Sequence, residues 1–490
     1  MNPVASRLIR SCLAAGSALA LVSCASAPPQ QDAAGVLARA SQAMGATQLN
    51  TLHYVAEGTG YTFGQAYKVG GAWPKITLHS VARSIDYASG TMRDEIVLSR
   101  AEPLGGGGYP LSGQQRNEQF VSGELAWNQS GGTATPGPRF VNDRLHQLWI
   151  TPHGVLKAAL RGGARAQPGS AGASAVAFEM PGRFAATAFI AADGLVRRVE
   201  STFADAVLGD TPVVTTYDDY RAHNGVQFPM RVRQTMAGYP VLDLAVKEVQ
   251  VNPSLVLPVP EAARNAAERV TSEKVADGVW FIAGGTHNSV AIELQDRLIL
   301  VETPLNDART QAVIEHVKNL ASGKPIHMAI NSHSHFDHAG GVRAAVAEGM
   351  TIVTHADNVP YFERAFAQPS RIRPDAMAHA ARQPVFVPVR DALEVGDATR
   401  PVEVHRIAGG PHSENFVMVY LPREKLLVEA DAYTPAAPNT PLPAVVNANH
   451  VNLIDNIERL GLAVERILPL HGRVVPVSEL YAAAQRTPPR

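Results

Sequence analysis

Through the first half of the chain, apolar and polar residues alternate with the two-residue period of half-buried strands. Segments His53 to Tyr61, Ile76 to Tyr87, Met92 to Leu98, Glu118 to Trp127 and Val176 to Ile190 carry this pattern or are rich in β-branched residues, with Gly, Pro and Asn between them. Asp193-Gly194 and Asn224-Gly225 fall between strand-like runs, and such pairs supply the positive φ that tight primed turns need. The pattern predicts an antiparallel meander. A short amphipathic helix over 36–44 precedes it, and a helix over Asp143 to Ile150 interrupts it. The run Gly105 to Gly108 lacks the Gly-Lys-Ser/Thr ending of a phosphate loop and reads as an ordinary loop.

Three prolines between Pro253 and Pro260 favour extended backbone and mark a linker. Beyond it the period changes. Val279 to Ile282, Ser289 to Leu294, Leu298 to Thr303 and Met328 to Asn331 read as strands. Ala308 to Leu320 reads as a helix, with Val313, Ile314, Val317 and Leu320 on one face. A helix over Val342 to Glu348 follows, then strands near Thr351 to Thr354, Val402 to Ile407, Phe416 to Leu421 and Leu426 to Ala430, and a late helix near Leu453 to Leu462. Alternation of this kind predicts a layered α/β domain after a mainly antiparallel β domain.

A chain of 490 residues exceeds the roughly 250 to 300 residues that one core supports, so the two patterns are expected to be two domains, 34–253 and 266–490, joined by a linker over 254–265. Apolar residues at 46% and charged residues at 18% fit globular domains rather than a disordered chain. A formal charge of -1 without a run of Lys or Arg gives no basic surface for a phosphate backbone, which excludes nucleic acid as an expected partner.

Arg7 and Arg10 precede an apolar stretch, Ser11 to Val22, that is too short to span a bilayer and reads as a secretory signal over 1–23. It ends in Leu21-Val22-Ser23-Cys24, which resembles the bacterial lipobox. The resemblance implies cleavage before Cys24, lipidation of its thiol, a flexible tether over 24–33, and a place on the periplasmic side of the cell envelope, most naturally at the outer membrane. Cys12 leaves with the signal and Cys24 is acylated, so no thiol remains as nucleophile or metal ligand.

The chemistry is concentrated in Asn331-Ser-His-Ser-His-Phe-Asp-His-Ala-Gly-Gly341. His333 and His335 lie on one side of an extended segment and reach one ion, while Asp337 and His338, after the turn, point to a second; imidazole nitrogen and carboxylate oxygen are ligands that zinc favours. Gly340 and Gly341 let the backbone pass close by. The segment resembles the His-x-His-x-Asp-His signature of the metallo-β-lactamase superfamily, an αββα sandwich with metals at one edge.

That resemblance implies further ligands. Gly409-Gly410-Pro411-His412-Ser413-Glu414-Asn415 looks like the element carrying the third histidine of the first metal, with Glu414 in place of the usual glycine. Leu426 to Asp431 looks like the strand that ends in the bridging aspartate, with Glu429 a rival on the same face, and Pro469-Leu470-His471-Gly472 looks like the final element. The implied set is His333, His335 and His412 on one ion, Asp337, His338 and His471 on the other, and Asp431 between them, holding two divalent cations, zinc in the first place. Glu302, where relatives usually have aspartate, is expected to orient a ligand histidine. His287, His355 and His405 show no ligand spacing and read as structural.

Such a site activates water for hydrolysis without a serine or cysteine nucleophile, and Asp337 is the expected group for orienting the water and passing its proton. His335 in place of glutamate argues against the oxygen-reducing flavodiiron type, and Asp431 in place of cysteine or serine argues against a β-lactamase as main activity. The resemblance therefore implies a small-molecule ester, lactone or thioester hydrolase. A β-lactamase, a phosphodiesterase, a persulfide dioxygenase and a non-catalytic lipid- or partner-binding lipoprotein are the alternatives. Residues 34–253 resemble the lipoprotein-carrier (LolA/LolB-like) sheets of Gram-negative envelopes, which implies either an acyl-binding face or a scaffold for the neighbouring domain.

Overall fold

The computed structural model describes residues 32–101, 113–167, 173–321, 323–442 and 444–488. The expected signal segment, Cys24 with nearly all of the tether, and the Gly105 to Gly108 run lie outside the described residues. The N-terminal half forms a 13-stranded sheet whose strands are antiparallel throughout. Thr51–Tyr61 lies near its middle, paired on one side with Lys75–Asp86 and on the other with Tyr239–Val251. Every other pairing joins consecutive strands, the arrangement that short hairpins produce.

Two strand predictions need correction. Glu118 to Trp127 is a hairpin, Gln115–Ser122 and Leu125–Ser130, turned at Gly123, and Val176 to Ile190 is a hairpin, Ser174–Met180 and Phe184–Ile190, turned near Gly182. Both glycines have positive φ, 56° and 71°, so a single glycine inside an apolar run marks a turn here.

Helices Ala33–Ala43, Val141–Trp149 and Pro152–Arg161 cover one face of the sheet. The last of these was not expected from the sequence. Val36, Leu37, Leu145, Leu148, Val155 and Leu156 pack with Leu52, Tyr54, Val81, Ile85, Val199 and Phe228 in one core.

The C-terminal half is the αββα sandwich expected. A seven-stranded sheet begins as an antiparallel meander from Thr271–Ala276 to Leu298–Val301 and continues in parallel through Ile326–Ile330 and Thr351–His355 to Phe386–Val389. A six-stranded sheet faces it, running from Ala392–Glu394 to Val475–Pro476. Val290, Ile292, Ile299 and Ile330 meet Val417, Val419, Leu421 and Leu427 between them. Asp307–Leu320, Val342–Ala347 and Val359–Phe366 cover the outer face of the first sheet through Val313, Val317, Val346 and Phe362. Strands buried on both faces read as continuous apolar runs, as Leu298–Val301 and Leu426–Leu427-Val428 do.

Candidate metal centre

The chemistry-bearing residues leave the two sheets at one shared edge. His333 to His338 follow the parallel strand Ile326–Ile330, His412 precedes Val417–Leu421, Asp431 follows Leu426–Glu429, and His471 follows Arg466–Pro469. Buried strands fix these ends, and the short loops beyond them carry the side chains. Gly340 packs so closely that a Cβ there would lie 2.1 Å from the Leu305 carbonyl oxygen.

All seven expected residues come together. His333, His335, His412 and Asp431 offer ligand atoms within 4.8 Å of one another, and so do Asp337, His338 and His471 together with His287. Asp431 ties the two groups: its Oδ2 lies 3.3 Å from His333 Nε2, 3.0 Å from His338 Nε2 and 2.9 Å from His412 Nε2, and its Oδ1 lies 2.9 Å from His471 Nε2. Glu429 does not join them. Its carboxylate accepts the Tyr433 backbone N–H at 2.9 Å, and burial, with the Asp431 charge adding, raises its pKa well above the usual range.

His287 is the residue that sequence reasoning misplaced. It is not a remote structural histidine: Nε2 lies 3.1 Å from Asp337 Oδ2, and its ring stands 4.2 Å from that of His471. Its only local signal is a polar Thr286-His287-Asn288 turn between two strands that end at the same edge. His355 and His405 stay structural, the first near its own helix turn with Nδ1 3.3 Å from the Asp357 N–H, the second 2.7 Å from Glu403.

Surrounding groups fix which nitrogen of each imidazole faces inward. His338 Nδ1 donates to Glu302 Oε2 at 3.0 Å and His471 Nδ1 to the Thr286 carbonyl at 3.1 Å, which turns both Nε2 atoms inward to Asp431, where a cation would take the place of any proton they carry. His335 Nε2 donates to the Ala66 carbonyl at 3.0 Å, and its buried Nδ1 has no hydrogen-bond partner. An orphaned buried nitrogen is expensive; a metal ion is the partner that its lone pair, the imidazoles of His333 and His412 beside it and Asp431 are suited to take. Nitrogens also crowd nitrogens, at 3.2 Å between His333 and His412 and 3.1 Å between His338 and His471. The residues present fit two cations.

The charges agree. Burial pushes His333 down to about 3, with the His338 charge adding, and pushes His335 well below its usual value. Burial also opposes protonation of His338, yet the carboxylates of Asp431 and Asp337 overcome it and hold that imidazole well above the ordinary range. Asp337 and Asp431 stay well below the ordinary carboxylate range: burial works against their charge, and the His338 charge facing both outweighs it.

Glu302 fills the orienting role expected of it. Fully buried and at a left-handed φ of 70°, it receives His338 Nδ1–H, the Ser332 hydroxyl in a short bond, and Asn331 Nδ2 at 3.2 Å. A strained backbone at a strand end belongs with functional geometry. Glu302→Gln keeps the shape but turns an N–H against donors, so the protein's zinc affinity is expected to fall about 10- to 100-fold. Chelator competition measures it, and an unchanged affinity refutes the role.

Two sheets with helices outside carry a doubled His/Asp cluster at one edge, which could hold two cations. Residues 282–455 match the metallo-beta-lactamase superfamily, and the C-terminal half is a domain of that superfamily. Similar solved structures include the metallo-beta-lactamase FIM-1 from Pseudomonas aeruginosa in its mono-zinc form, at 22% identity over 44% of this chain and 93% of that one with a TM-score of 0.34. The metallo-beta-lactamase from Hirschia baltica matches at 22% identity over 45% and 99%, TM-score 0.34, and that from Pontibacter korlensis at 19% over 45% and 100%, TM-score 0.33.

Proposed function

We propose that this protein is a metal-dependent hydrolase of small ester, lactone or thioester substrates, working with two divalent cations, zinc in the first place. The observation that carries it is the Asp431 carboxylate set between two groups of imidazoles, four of whose nitrogens converge on it. His333, His335, His412 and Asp431 hold one ion; Asp337, His338 and His471 hold the other, with Asp431 shared. When bound, the ion pair supplies a Lewis acid and brings the pKa of a bound water toward neutrality.

The chain's own groups do the rest. Asp337 is the most open of the carboxylates, its side chain 30% exposed against 16% for Asp431. Its charged state suits it to accept the proton of the attacking water and return it to the leaving group, the acid–base role worth about a hundred- to ten-thousandfold. His287 Nε2, at 3.1 Å, holds that carboxylate. Burial of the histidine cluster keeps bulk water from competing with substrate. The Leu21 to Cys24 motif supports a lipid anchor at Cys24, which places the reaction on the periplasmic side of the envelope; nucleic acid is not a partner in this reading.

The test loads the purified protein with zinc, counts the ions, and screens lactones, thioesters, aryl esters, phosphodiesters and a chromogenic cephalosporin. Two ions per chain and chelator-sensitive turnover of a carboxylic ester, lactone or thioester are expected. One tightly held ion without turnover, or preferred turnover of the cephalosporin or phosphodiester, overturns the reading.

A further inference from the structure

Residues 62–74 link the first two strands of the N-terminal sheet, and they touch their own domain at Tyr239 and reach beyond it to the neighbouring one. Six successive residues of this link touch the walls of the metal centre in chain order. The Gly64 carbonyl accepts the Phe336 N–H at 3.2 Å, Gln65 Nε2 donates to Asp337 Oδ1 at 2.7 Å, and the Ala66 carbonyl accepts His335 Nε2–H at 3.0 Å. The Tyr67 carbonyl accepts the Glu414 N–H at 2.9 Å, Lys68 Nζ lies 3.2 Å from the Glu414 carboxylate, and the Val69 N–H donates to Asn415 Oδ1 at 3.1 Å. The strip therefore bridges the segment that carries His335 and Asp337 and the segment that follows His412.

Its form is held as well. The Thr62 N–H closes the base on the Pro74 carbonyl at 2.9 Å, and the Phe63 ring sits between Trp73 at 4.3 Å and Phe336 at 5.2 Å. Gly64, at φ 74°, approaches so closely that a Cβ would lie 2.4 Å from the Phe336 ring; only glycine admits that contact. Glu414, which stands where the superfamily pattern has glycine, is engaged by this strip through both its backbone and its carboxylate.

The consequence falls on two ligands. Asp337 presents Oδ1 to Gln65 and Oδ2 to His287, so donors from two domains fix the plane of one carboxylate. His335 owes its tautomer to the Ala66 carbonyl, which holds the proton on Nε2 and leaves Nδ1 bare. We propose that the N-terminal domain is a working part of the metal centre, with Gln65 a positioning residue for Asp337 and the Ala66 carbonyl a positioning group for His335. This rests on the two-cation hydrolase reading above. Neither residue belongs to the C-terminal domain, so the centre is complete only in the two-domain chain.

The test uses the full chain with Gln65→Ala and Gln65→Glu, zinc as the ion, and an aryl ester as probe. Gln65→Glu keeps the size of the side chain and removes the donor. Both variants are expected to lose about 10- to 100-fold in affinity for the weaker zinc by chelator competition, the cost of removing an outer partner of a ligand. kcat is expected to fall by a similar factor with KM within about twofold, and thermal unfolding of the metal-free protein to stay close to wild type. Wild-type zinc affinity and kcat in Gln65→Glu overturn the proposal while leaving the hydrolase reading intact. A wild-type protein that takes up fewer than two zinc ions overturns both.

Discussion

Asp431→Asn is expected to abolish chelator-sensitive hydrolysis, lowering it roughly a thousandfold, and to leave the protein unable to retain two ions. The carboxylate stands 2.9 to 3.3 Å from four imidazole nitrogens drawn from three separate loops, so it is the one group whose charge both clusters share. An amide of the same shape carries no charge and turns an N–H into a nest of nitrogens. Metal assistance is worth several kcal/mol, and about 4 kcal/mol corresponds to roughly a thousandfold in rate. The neighbouring Glu429→Gln is the matched control. Burial already favours the neutral form of Glu429, and its backbone bond from the Tyr433 N–H survives in the amide, so ion content and turnover are expected within a few-fold of wild type. Zinc counting and aryl-ester turnover on the two variants decide it. Two retained ions and near-normal turnover in Asp431→Asn would mean that the bridge is not the heart of the site.

How much of this centre the sequence revealed depends on how far apart in the chain the cooperating groups lie. His333, His335, Asp337 and His338 are legible because a single strand end and turn carry them, and the spacing alone sorts them into the two clusters found in space. His412, Asp431 and His471 are single residues and become legible only through the order of the superfamily elements around them. Glu302 is read the same way and does meet His338. His287 has no such frame: one histidine in a turn looks like any other, and only the packing of its strands brings it to Asp337. Gln65 lies 272 positions from Asp337, in a link of ordinary composition, and no local pattern distinguishes a glutamine that crosses to another domain.

The fold follows the same rule. Alternation and buried apolar runs give the strands, because side-chain period is a local property. The two hairpins merged into single strands, at Gly123 and Gly182, show where the period continues through a turn and only backbone conformation breaks it. The helix Pro152–Arg161 was missed although Thr151 caps it, accepting the Gly154 N–H at 3.1 Å, and proline starts it. It follows Val141–Trp149 with so little spacing that the pair reads as one segment. The scaffold reading of the N-terminal domain rests on the link after its first strand, which is committed to the neighbouring domain.

Acid is expected to unfold the N-terminal domain early, through two histidines that belong to neither ligand group of the metal centre. His146 and His153 lie on the successive helices that join the sheet to its cover, 1% and 0% exposed. Nε2 of the first is 2.8 Å from the Ser201 hydroxyl and that of the second 3.2 Å from the Met44 carbonyl. Burial lowers their pKa values from 6.5 to about 3 and about 4. Above 6.5 both are neutral in the folded and unfolded chain, and they carry no pH dependence. Below 6.5 the unfolded chain binds protons that the folded chain refuses, so stability falls with pH until the folded values are reached. At pH 4.5 the two together cost about 5 kcal/mol, at roughly 1.36 kcal/mol per unit and group, a loss comparable with the whole stability of many domains. Gln at both positions keeps hydrogen-bonding capacity without titrating. Urea unfolding of the metal-free protein, followed by tryptophan fluorescence since Trp73, Trp127 and Trp149 all lie in this half, is expected to show wild type losing about 5 kcal/mol more than the double variant between pH 7 and 4.5. Equal losses in the two proteins would show that these imidazoles take up protons without opening the fold.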